Sequence, residues 1–101
     1  MSLGDLQYLT MLAVARLDSN AFAREIRDLL RDVGGRRVSV STVFVTLARL
    51  EDQGLLTSHR GPTPPRGGRA TRIFALTDVG WEAVHRTRAA AERMWEGLEM
   101  A

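Results

Sequence analysis

The stretch that decides the fold reads Ser39-Val-Ser-Thr-Val-Phe-Val-Thr-Leu-Ala-Arg-Leu-Glu-Asp-Gln-Gly54, then Leu55-Leu-Thr-Ser-His-Arg-Gly-Pro-Thr-Pro-Pro-Arg-Gly-Gly-Arg-Ala70, then Thr71-Arg-Ile-Phe-Ala-Leu-Thr-Asp-Val-Gly80. Ser39 can cap a helix that runs to about Gln53, with Gly54 as its stop. Val43, Leu47 and Leu50 form its inward stripe and Ser41, Thr42, Val45, Ala48, Arg49 and Asp52 its outward face. Leu55 to Thr57 make a short apolar strand, and Thr71 to Leu76 a second one, with Ile73 and Ala75 on one face and Phe74 and Leu76 on the other. The prolines and glycines between them, from His59 to Ala70, predict an extended, mobile loop without ladder pairing. Thr77 caps a following helix, and Asp78 favours its positive end.

Upstream, Phe22, Ile26, Leu29, Leu30 and Val33 fall on one stripe of a helix from about Ala21 to Val33, ended by Gly34 and Gly35. Asp18, Ser19 and Asn20 supply a turn and its N-cap. Before them a helix from about Leu3 to Leu17 carries Leu6, Leu9, Leu12, Ala13 and Leu17 along one side and Tyr8, Met11 and Val14 on another. The predicted fold is therefore α+β, mainly α: a three-helix core with a helix-turn-helix, a β-hairpin wing, and a C-terminal helix. Residues 1–76 form the expected DNA-binding domain and residues 77–101 the dimerisation helix.

This order makes duplex DNA the first partner to consider, and the charge distribution agrees. The net charge is only +2, but it is unevenly spread. Met1 to Ser58 hold seven arginines and seven acids; His59 to Arg72 hold Arg60, Arg66, Arg69 and Arg72 and no acid; the remainder holds three arginines and five acids. The second helix of a helix-turn-helix enters the major groove with its N-terminal residues. Ser41 and Thr42 can bond base edges or phosphate, Val45 or the Thr42 methyl can touch a thymine methyl, and Arg49 can reach guanine or backbone. The loop arginines suit phosphate or the minor groove, where each neutralised phosphate releases counterions.

The stretch Ala21-Phe-Ala-Arg-Glu-Ile26, the stretch Val40 to Leu56 and the stretch Gly67 to Gly80 together resemble the PadR family of bacterial transcriptional regulators, in order and over nearly the whole chain. The resemblance implies a winged helix-turn-helix homodimer, usually a repressor, whose C-terminal helix mediates dimerisation. The single helix after the wing resembles the compact branch of the family. Relatives commonly carry tyrosine where this chain has Phe44, so at this candidate DNA contact the hydroxyl is missing and apolar contact remains.

Val84, Thr87, Ala91, Met94 and Leu98 follow a 3-4 spacing along the last helix, with Trp81 and Trp95 beside it. This seam is expected to pack across a dimer onto the first helix of the partner, which gives Leu6, Val84, Ala91, Met94, Trp95 and Leu98 as interface residues. Trp95 could also stack on a small aromatic effector, as the resemblance to ligand-binding members implies, or bury area at the interface.

Other classes find little support. There is no cysteine, and His59 and His85 have no second ligand at metal spacing, so no metal or cofactor is expected. No phosphate-binding glycine motif, nucleophile elbow or carboxylate pair points to an enzyme. The N-terminal apolar stretch is too short and too polar for a membrane span, and the cytoplasm is the expected compartment. A winged helix that docks protein instead of DNA is the competing function.

Overall fold

Local sequence rules set four helices and one hairpin. In chain order they are α1 (Asp5–Leu17), a single 3-10 turn (Asp18–Asn20), α2 (Ala23–Asp32), α3 (Val40–Asp52), β1 (Leu56–Arg60), β2 (Arg72–Leu76) and α4 (Asp78–Trp95). The computed structural model describes residues 3–62 and 72–98. The expected wing tip, with Arg66 and Arg69, lies outside the described residues, as does Thr71.

The helices α1, α2 and α3 enclose Met11, Val14, Ile26, Leu30, Val43, Leu47 and Leu50, all nearly inaccessible to water. Burying a side chain of this size contributes about 1.5–3 kcal/mol, so this cluster is the main source of stability. Its floor is the hairpin, where Leu56, Ile73 and Phe74 are buried, and its far wall is the first part of α4 through Ala83 and Val84. β1 and β2 pair antiparallel, with Leu56 opposite Leu76 and Arg60 opposite Arg72. On its other edge β2 gains one bond, from the Phe74 amide to the Ala21 carbonyl at 3.1 Å.

Three expectations require correction. The deepest face of α1 is the one with Thr10, Met11, Ala13 and Val14, whereas Leu6, Leu9, Leu12 and Leu17 are only half-buried. The rest of the chain covers part of both apolar sides, Ala13 from the first and Met11 and Val14 from the second, with Leu6, Tyr8, Leu9 and Leu17 packed at the edge of the core. Asp18, Ser19 and Asn20 form the 3-10 turn instead of capping α2, whose N-cap is Phe22 without a side-chain bond. Consequently α2 starts later than Ala21, and it ends at Asp32, which turns Val33 outward. Finally, His59 and Arg60 do pair, with Ile73 and Arg72, so the irregular loop starts only at Gly61.

The end of α3, both ends of the hairpin and the start of α4 meet at one junction. Gly54 takes φ 76°, a left-handed conformation natural to glycine, and lets the Leu55 amide reach back to the Leu50 carbonyl at 2.9 Å. Thr77 then closes the junction. Its hydroxyl donates to the Gly54 carbonyl at 2.6 Å and accepts from the Gly80 amide at 3.0 Å, while its own amide donates to the Leu55 carbonyl at 3.1 Å. Gly80 lies against this knot so closely that a Cβ there would collide with the Leu55 carbonyl oxygen and come within 3.0 Å of Met11 Cε.

Two outcomes follow for unfolding in denaturant. Gly80→Ala should cost on the order of 3 kcal/mol, because backbone on both sides of the clash is hydrogen-bonded and cannot relax. Thr77→Ala should cost about 2 kcal/mol through the lost cap and the lost cross-junction bond, and Thr77→Ser should recover most of it. Equal stability of Thr77→Ala and the parent would show that the junction is not held this way.

Candidate nucleic-acid interface

The α3 helix turns an uncovered face to solvent. Ser39 caps it as expected, its Oγ accepting from the Thr42 amide at 3.1 Å, a bond worth about 1 kcal/mol. Val43, Leu47 and Leu50 are buried as the stripe predicts, joined by Thr46, whose hydroxyl donates back to the Thr42 carbonyl at 2.8 Å. Ser41, Thr42, Phe44, Val45, Ala48, Arg49 and Asp52 are all exposed. With about 100° per residue, Ser41, Val45, Ala48 and Asp52 lie along the middle of that face, Phe44 on one flank, and Thr42 and Arg49 on the other.

The arginines divide into paired and unpaired sets. On α2, Arg27 lies 3.0 Å from Asp28 and Arg31 2.8 Å from Asp32. The hydrogen bond from Arg31 holds the Asp32 carboxyl below its ordinary range and raises the Arg31 guanidinium above its own. Arg36 reaches Asp5 at 3.0 Å and ties the α2–α3 turn to the start of α1. These pairs are partly exposed and contribute little stability, but they neutralise the α2 surface. Arg49 on α3 and Arg60 at the root of the wing make no ion pair among the described residues, and neither do the exposed Arg16, Arg24, Arg37, Arg86 and Arg93.

At that root Arg60 and Arg72 stand opposite each other on one rung, on the hairpin face that also carries Ser58. Arg72 is not free in the way its position in the loop suggests. Its Nε donates to Ser58 Oγ at 2.8 Å and its Nη2 to the Ser58 carbonyl at 3.2 Å. Ser58 Oγ in turn donates to Glu51 Oε2 at 2.8 Å. The chain Arg72–Ser58–Glu51 thus ties β2 through β1 to the last turn of α3, and fixes the wing relative to the exposed helix face. Sequence reasoning missed Ser58 and Glu51, because nothing local distinguishes a serine in a short strand or an acid at a helix end as a link between them.

The candidate dimer residues fall into two groups. Val84 is buried in the chain's own core and Leu6 is half-buried against it. Thr87 is also engaged internally, accepting from the Leu3 amide at 3.2 Å and donating to the Ala83 carbonyl at 2.8 Å. Beyond it Ala91, Met94, Trp95 and Leu98 are exposed, Met94 at 77 % and Trp95 at 64 %. Trp81 is paired within the chain, stacked on His85 with ring centres 6.2 Å apart. No helix is long and apolar enough to cross a membrane among the described residues.

Comparison with known proteins gives the same picture. Residues 11–86 match the transcriptional regulator PadR-like family. Over 60 residues the chain is 40% identical to the transcriptional regulator Rv3488 of Mycobacterium tuberculosis; the match takes in 59% of this chain and 53% of that protein, so it spans about half the relative's length. A PadR-like transcription factor from Bacteroides fragilis shares the fold with a TM-score of 0.75 at 22% identity, over 94% of this chain and 87% of the other. A PadR family regulator from Eggerthella lenta follows at TM-score 0.69 and 26% identity, over 92% and 81%. The PcaV transcriptional regulator of Streptomyces coelicolor, solved in complex with its natural ligand, reaches 0.68 at 26% identity, over 92% and 58%. The three-helix core, the hairpin wing and the C-terminal helix are thus those of a known regulator fold, and the chain belongs to the PadR-like family of transcriptional regulators.

Proposed function

We propose that this regulator binds duplex DNA as a homodimer, places two α3 helices in successive major grooves about 34 Å apart on an imperfect palindrome, and represses by occupying a promoter. The observation that carries the proposal is the uncovered face of α3, from Ser41 to Arg49, beside a hairpin root whose Arg60 lacks an acidic partner among the described residues. Ser41, Thr42, Phe44, Val45 and Arg49 approach the bases. Arg60, Arg66 and Arg69 contact the flanking backbone or minor groove. Arg72, a wing anchor by sequence, is given the further role of holding the wing through Ser58. The exposed end of α4, with Ala91, Met94 and Trp95, and Leu98 just beyond the helix meet the partner subunit, and residues 77–101 serve as the dimerisation segment. Working on DNA places the protein in the cytoplasm.

A second element of the reading concerns an effector. Trp95 is 64% exposed on the proposed dimer helix, and PcaV is a ligand-binding neighbour of the same fold. A flat aromatic compound stacked on Trp95 between subunits would release the operator. Quenching of tryptophan fluorescence by a panel of planar aromatic acids tests this, with loss of the response in Trp95→Leu as the expected result.

Gel-shift with the DNA directly upstream of its own gene tests the main proposal. Affinity should fall steeply with rising salt; salt-insensitive behaviour, or binding to protein alone, would favour the docking alternative. Arg69→Ala should weaken binding similarly on all sequences and flatten the salt slope by about one, whereas Thr42→Ala should change the preference among sites. Ser58→Ala removes no charge, so it should lower affinity several-fold through a misplaced wing and leave the salt slope unchanged. A slope change in Ser58→Ala equal to that of Arg69→Ala would contradict the positioning role.

A further inference from the structure

The exposed face of α3 carries almost none of the side chains that read bases by hydrogen bonding. From Val40 to Ala48 there is no Asn, Gln, Asp, Glu, Lys or Arg, so the bidentate pairings that select guanine or adenine cannot form along the first two turns. The hydroxyls there are also largely engaged. Ser39 Oγ donates to Thr42 Oγ1 at 3.1 Å while it caps the helix, and Thr46 is buried and bonded back to the Thr42 carbonyl. Only Ser41 and the remaining capacity of Thr42 are available.

What the face offers instead is apolar. Phe44 is 53% exposed and Val45 51%, and neither is covered by the rest of the chain. Val45 lies along the middle of the face with Ser41 and Ala48, and Phe44 on its flank; the small side chains of Ser41 and Ala48 allow the helix backbone to come close to a groove floor. The major-groove edge of the bases has one apolar projection, the methyl group at C5 of thymine; cytosine carries hydrogen at the same carbon and gains a methyl there when it is methylated.

Resting on the DNA-binding reading above, we infer that Phe44 and Val45 form a detector for the C5 methyl group of pyrimidines, so that this regulator selects sites by methyl placement more than by hydrogen-bond pattern. Thymine and 5-methylcytosine then count as equivalent at the contacted positions, and uracil and unmethylated cytosine are both disfavoured. The protein's binding becomes sensitive to cytosine C5 methylation within its site. Discrimination comes from burying methyl surface and releases no counterions, so the ratio of affinities between methylated and unmethylated duplexes is independent of salt even though each affinity is not.

The test uses the full chain and a pool of random-sequence duplexes. The enriched duplex is resynthesised with deoxyuridine replacing thymidine one position at a time, and with cytosine or 5-methylcytosine at the sensitive positions. The expected result is a loss of about four-fold per missing methyl, the worth of one buried methyl group, at one or two positions in each half-site. 5-Methylcytosine should bind more tightly than cytosine by a similar factor. The double variant Phe44→Ala, Val45→Ala, checked for folding by thermal denaturation, should bind thymidine and deoxyuridine duplexes equally. If the parent protein binds an enriched duplex and tolerates deoxyuridine at every position, methyl detection is overturned and DNA binding stands. If no duplex is enriched, the DNA-binding reading fails and this one with it.

Discussion

Thr77 is the residue on which the arrangement of the whole molecule depends. One hydroxyl both donates to the Gly54 carbonyl and accepts from the Gly80 amide, and the adjoining amide bonds the Leu55 carbonyl. Through these contacts the end of α3, the start of β1, the end of β2 and the start of α4 are held at fixed angles. The exposed helix face, the wing and the proposed dimer helix therefore all meet at this one half-exposed knot. Gly80 has no side chain because backbone passes where its Cβ would be. A change there would tilt three functional elements together.

A second layer of positioning is electrostatic, and it distinguishes arginines that look alike in a count. Arg27 and Arg31 on α2 are paired with aspartates one residue away, and Arg36 is paired with Asp5. Arg72 is bound to Ser58, which is itself bound to Glu51. Arg49 and Arg60 are left without acidic partners among the described residues, on α3 and the wing root. The molecule is nearly neutral as a whole, and Arg49 and Arg60 put unpaired positive charge on the proposed surface, which favours the approach of a polyanion without a strongly basic composition.

Two groups of exposed apolar residues ask for different partners. The end of α4 leaves Met94 and Trp95 uncovered, with Leu98 just beyond it, on a helix that leaves the core after Val84 and Thr87 have found partners within the chain. That pattern suits a second subunit. On α3, Phe44 and Val45 are uncovered among hydroxyls and beside arginine, a mixture suited to a groove edged by phosphates. The half-buried Leu6, Leu9 and Leu17 of α1 pack at the edge of the chain's own core.

Much of the fold is determined by the sequence because its signals are local. The Ser39 and Thr77 caps, the Gly54 stop, the Val43–Leu47–Leu50 stripe and the alternation in β2 each depend on residues within one or two turns, where backbone geometry leaves few alternatives. The outward face of α3 was legible for the same reason, since a helix with one buried stripe must expose the other side. Three matters were decided only by tertiary structure: which residues of the two apolar sides of α1 are covered most deeply, that His59 and Arg60 extend the ladder, and that Arg72 is held by Ser58 and Glu51. Each depends on what lies across space from the residue in question. Periodicity and charge counts carry no information about that neighbour, which packing alone supplies.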